Sequence, residues 1–587
     1  MAADTAHDAV TTSDESPSPV VRPADDTPVT EAPRASWLRR TGSTLALVTG
    51  PFVVTLTVLL IQIGERQLWR DEDATWWAAS LPLADLRKLV ETVDVVLLPY
   101  YVLMHGWMAV FGDSPAAMRV PSALFMAVAA ALIALIGRRL FDAPTGLIAG
   151  LLVPAIPVVS RYGQEARPYA MAMLASVTAV LLLLRALERP TVWRWLAYTL
   201  AVVWIACSHI VALMALAAHL IAVLAALRTR PEPTATTHPA APAADRADTT
   251  AAAHPTAPAT DRADTTAARD DAGAGAATLP TRRAVSWRRL RILIGWPVSL
   301  TLAMLAISPL IVVGQRQGGQ ISWIPDPVWA RVQAFPGEVF MSGPVPGFLV
   351  ALGLATIIAL AFAGRQIRWT AAFLALWTLL PPVLAYYTFH ELHFFFPRYL
   401  LFTVPAWVLL AAYAVRRFAA GATGRIWAPV LATTLAAGAG LTYVGWDQQE
   451  LVRSDAVENE FAYRQAAAFI RAREQPGDGI IFTGYRYVHR GFRYQWRDQP
   501  RADQPREILV DLPADRSWSW VHPPCADTVA CLGDTGRIWL VSTDPSGEPL
   551  SPLPGTQQPA AQQRYDVAEQ THFHRIWVSE LVRKPTK

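Results

Sequence analysis

The chain contains eleven long runs of apolar residues, and these runs restrict its possible folds more than any other feature. A helix needs roughly 20 mainly apolar residues to cross a bilayer. Two of the runs are shorter, but each continues through a small polar break into another run, as in a helical hairpin. The sequence therefore predicts an α-helical polytopic membrane protein with about 11 transmembrane helices. The runs lie at 44–63, 120–137, 145–160, 168–187, 193–208, 209–227, 291–313, 347–363, 370–388, 397–415 and 427–445.

The composition agrees with this class of protein. Of the 587 residues, 53% are hydrophobic and only 17% are charged, whereas a soluble protein has about 25% charged residues. The net charge of +4 is small for this size, and the basic residues fall in loops between the apolar runs. Such a distribution is an orientation signal and gives no support for nucleic acid as a partner.

The arginines orient the predicted spans. Arg39 and Arg40 precede the first run, and further basic groups occur in alternate loops. Because basic loops stay in the cytoplasm, eleven spans place the N-terminus in the cytoplasm and the C-terminus outside the plasma membrane. The groups are Arg138 with Arg139, Arg185 with Arg189 and Arg194, Arg282 through Arg291, Arg365 with Arg368, and Arg416 and Arg417 with Arg425.

Two segments have the composition of disordered chain. Residues 1–36 are acidic and rich in Ala, Pro and Thr, which predicts a disordered cytoplasmic tail; the first apolar run begins too late and is too long for a signal peptide. Residues 228–281 contain a repeat that starts at His238 and again at His254, which predicts a disordered cytoplasmic linker. The membrane domain then covers 37–445.

Residues 446–587 are polar and predict a small extracytoplasmic α/β domain. Cys525 and Cys531 lie in this region, outside the reducing cytosol, where they form either a short disulfide or two free thiols. The strand-like pieces are Gly479–Thr483, Ile508–Leu512, Arg537–Ser542 and Arg575–Leu581, and an amphipathic helix is predicted at Asn459–Arg473.

The apolar piece Tyr100–Phe111 is about a dozen residues long, which is too short to cross a bilayer. Counting it as a span would also turn every later arginine group outward. We therefore interpret it as an interfacial or re-entrant helix within a first outer loop at 64–119.

Three consecutive carboxylates, Asp71, Glu72 and Asp73, lie in that loop directly after the first span. In an arbitrary loop such a triplet is a solvated acidic turn. Here apolar residues follow at once, and ionisable groups beside a bilayer are costly unless they face water, a partner or a substrate. A carboxylate in such a place can act as a general base toward a hydroxyl or bind a metal ion.

A second polar group precedes and enters the short apolar piece. Asp94 lies before it, Tyr100 and Tyr101 begin it, and His105 follows Tyr101 by one helical turn. Tyrosine is ordinary at a bilayer interface, and His105 taken alone favours a structural role. As a group, the four residues are predicted to contact substrate.

A third group lies in the turn Ser160–Tyr169, between two spans. Arg161 and Arg167 occur there, on the side where arginine is otherwise scarce, and Arg398 begins a later span on the same side. Guanidinium groups at that depth suit a lipid phosphate, although single arginines also reach toward headgroups. Gln164 and Glu165, which share the turn, are predicted to contact substrate. No phosphate-binding glycine loop occurs in the sequence, so nucleotide chemistry is unsupported.

These motifs, in this order, resemble the GT-C superfamily of polyprenyl-phosphate-dependent glycosyltransferases. The nearest likeness is to its protein O-mannosyltransferase and aminoarabinose-transferase group, in particular the actinobacterial branch, and it covers about residues 44–445. The residues that carry it are Trp69–Thr75, Asp94, Pro99–Tyr101, His105–Trp107, Arg119–Ala123, Ser160–Tyr169, Arg398–Phe402 and Pro405.

The resemblance implies that Asp71 is the base that acts on an acceptor hydroxyl and that Glu72 is its companion. Arg161, Arg167 and Arg398 would hold the leaving phosphate of a polyprenyl-phosphate-linked sugar. The acceptor would be a hydroxyl of a glycan, lipid or protein. No cofactor is required on this view, although a divalent cation can be bound, with Asp73 as a ligand.

Two departures from the family pattern accompany this resemblance. Relatives often carry histidine just before the paired tyrosines, where this chain has Leu97 and Leu98, and aminoarabinose transferases tend to have aspartate near Arg167. Two other functions therefore stay open: a flippase or transporter of lipid-linked sugars, and a non-catalytic glycan-binding membrane protein. The sequence shows no inverted repeat of the kind that transporters use.

Overall fold

The computed structural model describes residues 33–228, 282–420, 427–455, 460–485, 487–511 and 525–585. The chain divides into two units, 1–46 and 47–587, and every contact given below joins residues of the second unit. The predicted tail at 1–36 and linker at 228–281 lie almost entirely outside the described residues. The domain boundaries proposed from the sequence stay predictions.

The described chain is mainly helical. The first helices are α1 (Pro33–Leu60), α2 (Arg70–Ser80), α3 (Leu83–Thr92), α4 (Leu98–Phe111), α5 (Pro115–Leu140), α6 (Ala143–Leu152), α7 (Pro157–Gly163), α8 (Tyr169–Glu188), α9 (Val192–Ser208) and α10 (Leu216–Arg228). They are followed by α11 (Arg282–Arg316), α12 (Trp329–Phe340), α13 (Pro344–Ala361), α14 (Arg365–Tyr387), α15 (Phe389–Leu392), α16 (Val404–Ala420), α17 (Trp427–Val444) and α18 (Trp446–Leu451). Short 3₁₀ helices at Ile210–Ala215 and Pro397–Thr403 precede α10 and α16.

Seven helices are long and apolar enough to cross a membrane among the described residues, and a bent pair makes an eighth. Shorter apolar helices cover Thr44–Leu60, Val95–Phe111 and Val192–Ser208. Each of the eleven predicted runs overlaps one or more of the helices given above. The chain is a multi-pass membrane protein.

The bent pair carries part of the candidate site. Residues Ala143–Ala155 and Pro157–Gly163 meet at an angle of 68°, with Pro157 at the start of α7, where its missing N–H costs nothing. The first arm packs closely on α5: a Cβ atom added at Gly146 would lie 2.2 Å from the carbonyl oxygen of Ala134. The run predicted as one straight span is therefore a broken one, and every residue of α7 is buried.

The basic loops gather at one end of the helices. Arg139, near the end of α5, forms an ion pair of 2.6 Å with Glu188 at the end of α8. Arg288, near the start of α11, donates a hydrogen bond of 2.7 Å to the carbonyl oxygen of Leu187. This is the clustering that the alternating arginines predict.

The C-terminal region forms a five-stranded mixed sheet with helices beside it, as predicted. The strands are β1 (Gly479–Thr483), β2 (Arg506–Glu507), β3 (Arg537–Ser542), β4 (Tyr565–Phe573) and β5 (Ile576–Arg583), in the order β2-β1-β3-β5-β4. β1 pairs parallel with β2 and β3, and β5 pairs antiparallel with β3 and β4. The helices are α19 (Tyr463–Arg471), α20 (Val488–Gln495), α21 (Thr528–Leu532) and α22 (Gln557–Arg564).

The strand predictions at 479–483 and 537–542 are confirmed, whereas β4 was not predicted. Its residues alternate poorly and four in succession are exposed, so it carries little hydrophobic signal. The predicted helix at 459–473 begins only at Tyr463. Cys525 and Cys531 form a disulfide.

The C-terminal domain packs on the first loop. Gln67 donates two hydrogen bonds across this contact: its backbone N–H donates to an oxygen of Asp455 at 2.7 Å, and its side-chain amide donates to the carbonyl oxygen of Phe461 at 2.8 Å. Farther along the loop, Tyr494 donates to the carbonyl oxygen of Asp113 at 3.0 Å. The two regions therefore share one face of the helical domain, as the predicted topology requires.

Candidate active site

Helix α2 begins at Arg70 and presents three carboxylates in its first turn. Carboxylates are favourable there because the N-terminus of a helix carries a partial positive charge. Successive side chains on a helix are turned by about 100°. Asp71, Glu72 and Asp73 therefore point in three directions and meet three different environments.

Glu72 is fully buried and forms an ion pair with Arg119. Its carboxylate accepts hydrogen bonds of 2.6 and 2.8 Å from that guanidinium and one of 2.8 Å from the backbone N–H of Ala166. Burial opposes ionisation, but Arg119 and Arg66 lower the pKa of Glu72 to about 2. The residue is charged and joins α2 to α5 and to the turn that precedes α8.

Asp73 is buried without a partner. Its side chain is 1% exposed, and among the described residues no hydrogen bond reaches either oxygen. Burial and the neighbouring carboxylate of Glu460 raise the pKa of Asp73 well above its usual value. Both effects favour the neutral form of this carboxyl group.

A metal ion shared by Asp71 and Asp73 does not fit this geometry. Side chains two residues apart on a helix point about 200° apart, and Asp71 faces arginines while Asp73 faces Glu460. In the described part of the chain, the one group of three metal-ligand side chains in mutual reach is that of Asp511, Cys525 and Cys531. Two of its members are joined in the disulfide.

Asp71 is the carboxylate of the three that keeps access to its surroundings, with 24% of its side chain exposed. One of its oxygens lies 3.4 Å from a terminal nitrogen of Arg398. Burial disfavours its charged form, but Arg398, Arg167 and Arg70 outweigh that effect and lower the pKa of Asp71. The carboxylate is thus ionised and flanked by guanidinium groups.

Arg398 is fixed by aromatic rings. It lies at the start of the 3₁₀ helix Pro397–Thr403 and is 10% exposed. Its guanidinium carbon is 4.7 Å from the ring centroid of Phe396, 5.5 Å from that of Trp69, and 5.8 Å from those of Tyr169 and Trp323. Such rings stabilise a cation and fix its plane without neutralising it.

Arg167 approaches Asp71 from the turn before α8. One terminal nitrogen lies 3.5 Å from the carbonyl oxygen of Asp71 and 3.4 Å from the hydroxyl of Thr75. Burial opposes its charge, but Asp71 and Tyr101 raise the pKa of Arg167 well above its usual value. Asp71 is therefore a carboxylate with two adjoining cations, Arg167 and Arg398.

Asp94 and Tyr101 lie near Arg167 and affect its charge electrostatically. The Tyr101 hydroxyl donates a hydrogen bond to an Asp94 oxygen at 3.1 Å. Asp94 has a left-handed backbone (φ 54°, ψ 29°), which is strained for a residue with a side chain. The side-chain amides of Gln317 and Gln320 hold that turn by accepting from the backbone N–H groups of Val95 (2.9 Å) and Asp94 (3.2 Å). Strain maintained by distant residues is typical of functional sites.

Four of the other predicted site residues contact protein groups, namely Arg161, Glu165, Gln164 and His105. Arg161 forms a buried ion pair with Glu165. Gln164 donates to the carbonyl oxygen of Leu59 at 2.8 Å, and a ring nitrogen of His105 lies 2.8 Å from the carbonyl oxygen of Ala79. Tyr100 is fully buried.

Several residues near Asp71 were not predicted. The structure brings Tyr169, Tyr399 and His209 together on the Arg398 side, with ring centroids of His209 and Tyr399 4.7 Å apart. On the other side, Glu460 accepts from the backbone N–H of Arg70 at 3.4 Å. His209 ends an apolar run and Glu460 lies in a polar one, so neither has a local signal. Tyr169 and Tyr399 do have a local signal, because they lie inside the predicted motifs Ser160–Tyr169 and Arg398–Phe402.

Comparison with known proteins places this geometry in a wider group. Residues 97–242 match the family model described as dolichyl-phosphate-mannose-protein mannosyltransferase. No curated protein matches the sequence at a significant level.

Several solved structures are similar to the chain, among them the following three. ArnT from Cupriavidus metallidurans in the apo state is 13% identical, with a TM-score of 0.51 over 92% of this chain and 98% of that one. The same protein bound to undecaprenyl phosphate is 12% identical, with a TM-score of 0.51 over 91% and 98%. The Archaeoglobus fulgidus oligosaccharyltransferase in the apo form is 10% identical, with a TM-score of 0.44 over 80% and 65%.

The match to ArnT extends over nearly the whole of both chains, at an identity that speaks to fold alone. This chain has the helical membrane part and the small C-terminal sheet that the sequence predicts. The predicted resemblance is confirmed at the level of the fold: this chain is a multi-pass membrane protein whose fold is similar to that of ArnT, and its residues 97–242 match the mannosyltransferase family model.

Proposed function

We propose that the protein transfers a sugar from a polyprenyl-phosphate donor to an acceptor hydroxyl, with Asp71 as the general base. The observation that carries the proposal is the different environment of the three carboxylates. Asp71 is the one that combines partial exposure with two neighbouring guanidinium groups. The ArnT structure with undecaprenyl phosphate supports a lipid phosphate as the ligand of this fold.

The arginines suit the leaving group. When the sugar is transferred, the leaving group is the lipid phosphate. Arg167 and Arg398 would stabilise the new negative charge as it develops on that phosphate. The aromatic rings around Arg398 hold its guanidinium in place before substrate binds, so little reorganisation is needed during the reaction.

The step balances without a further reactant. The acceptor oxygen forms a bond to the anomeric carbon as its proton passes to Asp71, and the bond between that carbon and the phosphate oxygen breaks, with its electron pair going to the phosphate. A base opposite the leaving group gives inversion at the anomeric carbon. Because the carboxylates do not converge on a cation site, we propose that transfer needs no metal ion.

Donor binding also corrects the low basicity of Asp71. The phosphodiester of the donor carries one negative charge, which would partly neutralise the arginines that lower the pKa of Asp71. Once the phosphate is bound, the pKa of Asp71 rises and the carboxylate becomes a better proton acceptor. We place the reaction at the outer face of the plasma membrane, with the N-terminus in the cytoplasm and the C-terminal domain outside, as the arginine distribution indicates.

The test is transfer of labelled mannose or a labelled pentose from its polyprenyl phosphate to glycan, lipid and peptide acceptors by the full-length protein in lipid. Asp71→Asn keeps the shape of the side chain and should lower kcat by about 10²–10⁴-fold. Transfer undiminished in this variant excludes Asp71 as the base. Absence of transfer by the wild type with every pair would favour the transport or glycan-binding function.

A further inference from the structure

His209 lies where two helices of a hairpin are joined, on the site side of the helical domain. Its backbone N–H closes the last turn of α9 by donating to the carbonyl oxygen of Ile205 at 2.8 Å. Its own carbonyl oxygen accepts from Ala212 at 2.9 Å in the following 3₁₀ helix. The backbone is therefore fixed on both sides, and so is the direction of the side chain.

The imidazole belongs to the aromatic wall that surrounds Arg398. Its ring centroid is 4.7 Å from that of Tyr399 and 5.7 Å from that of Tyr169. The Tyr169 ring in turn lies 5.8 Å from the guanidinium carbon of Arg398. Both Arg167 and Arg398 are close enough to affect the charge of His209 electrostatically.

The ring is polar, and one of its two nitrogens makes no hydrogen bond to the described residues. Its Nδ1 atom is buried and, in the described part of the chain, has no hydrogen-bond partner. A buried polar atom without a partner is costly and needs an explanation, which at a substrate site is often the absent substrate. Burial, Arg167 and Arg398 lower the pKa of His209 to about 3, so the ring is neutral and offers one N–H and one lone pair.

We propose that His209 donates a hydrogen bond to the phosphate of the lipid-linked donor, as a third ligand beside Arg167 and Arg398. A neutral donor suits this place because a third full cation would be repelled by the two arginines. The inference rests on the proposed function only for the identity of the ligand as a polyprenyl phosphate.

Binding of polyprenyl monophosphate, measured separately from sugar transfer, tests the proposal. His209→Phe keeps an aromatic ring against Tyr399 but removes the N–H. It should weaken binding of the monophosphate and raise the donor KM by about tenfold or more, since a hydrogen bond to a charged group is lost, while the acceptor KM is unchanged. His209→Gln, which retains an amide donor, should recover part of the affinity.

His219 supplies a matched control. It is a buried histidine ten residues farther on, and its ring nitrogen lies 2.9 Å from the Tyr198 hydroxyl. His219→Gln should leave monophosphate binding unchanged. Thermal unfolding of each variant shows whether it is folded. If His209→Phe does not fold, binding of the monophosphate is measured with His209→Gln instead.

The outcomes separate the two proposals. The proposed role of His209 is overturned if His209→Phe binds the monophosphate as tightly as wild type, or if wild type does not bind it at all. If wild type binds the monophosphate, His209→Phe binds it more weakly and no sugar is transferred, the role of His209 is supported and the transferase function is rejected.

Discussion

Glu72 and Arg119 are joined by two buried hydrogen bonds, of 2.6 and 2.8 Å, although 47 residues separate them in the chain. The same guanidinium donates to the carbonyl oxygens of Ile63, Arg66 and Gln67. This one pair therefore fixes both the end of the first membrane helix region and the helix that carries Asp71.

Removing the charge of Glu72 should unfold the site rather than slow its chemistry. Glu72→Gln leaves Arg119 buried without its counter-charge, which typically costs about 3–5 kcal/mol. Thermal unfolding in detergent should show a large loss of stability, whereas Asp71→Asn should be nearly as stable as wild type. Equal stability of the two variants would contradict the roles assigned to these neighbours.

Arg398→Lys should retain a positive charge but lose the planar group that the aromatic rings hold. We expect kcat/KM for the donor to fall by about 10²–10³-fold, by analogy with the loss of one preorganised donor in other enzymes. The measurement is steady-state transfer at varied donor concentration. Arg331→Lys, at an arginine of α12 that donates to the carbonyl oxygen of Pro325 and is not a site residue, is the control.

The pH dependence of transfer should report the neutralisation of the arginines. In the free protein the pKa of Asp71 lies below its ordinary value, so kcat/KM should lose activity only at strongly acidic pH. In the donor complex the pKa is higher, and the acidic limb of kcat should therefore lie at higher pH than that of kcat/KM. Coincident limbs would show that the phosphate does not neutralise these arginines.

Asp73→Asn should preserve the fold because the surroundings of the native carboxyl group favour a neutral side chain. Its folded pKa is raised, so its contribution to stability is full below its ordinary pKa and is lost as pH rises through the folded value. The asparagine variant should remove this loss and be more stable than wild type at alkaline pH. Unfolding temperatures measured across pH test this, and a variant that is less stable at every pH would contradict it.

The orientation can be tested with reporter fusions after residues 230 and 450. The arginine distribution predicts that the first reporter is cytoplasmic and the second is outside. Both reporters on one side would break the predicted count of spans. The enzymatic activity of paired reporters, one active on each side of the membrane, gives the result directly.

The membrane architecture was predictable because it depends on local properties. Apolar length, arginine placement and the short apolar runs of strands β1 and β3 are all properties of short segments. The separate functions of Asp71, Glu72 and Asp73 were only partly predictable. Their helical spacing implies three directions, but what lies in each direction comes from Arg398, Arg119 and Glu460, which are distant in sequence.

The same reason explains the contacts that the sequence did not predict. Arg161, which is predicted as a phosphate ligand, forms an ion pair with Glu165 four residues on. Gln317 and Gln320, which hold the turn of Asp94, lie more than 220 residues beyond it. Such contacts are set by packing and have no signature in local spacing.

The contact of the first loop with the C-terminal domain has a consequence for biosynthesis. Gln67 and Asp113 find partners 381 to 394 residues later in the chain. Those partners, Asp455, Phe461 and Tyr494, all follow the last predicted membrane helix and are synthesised after it. The contacts of the first loop are thus completed last, and a polypeptide truncated after its final membrane helix would lack them.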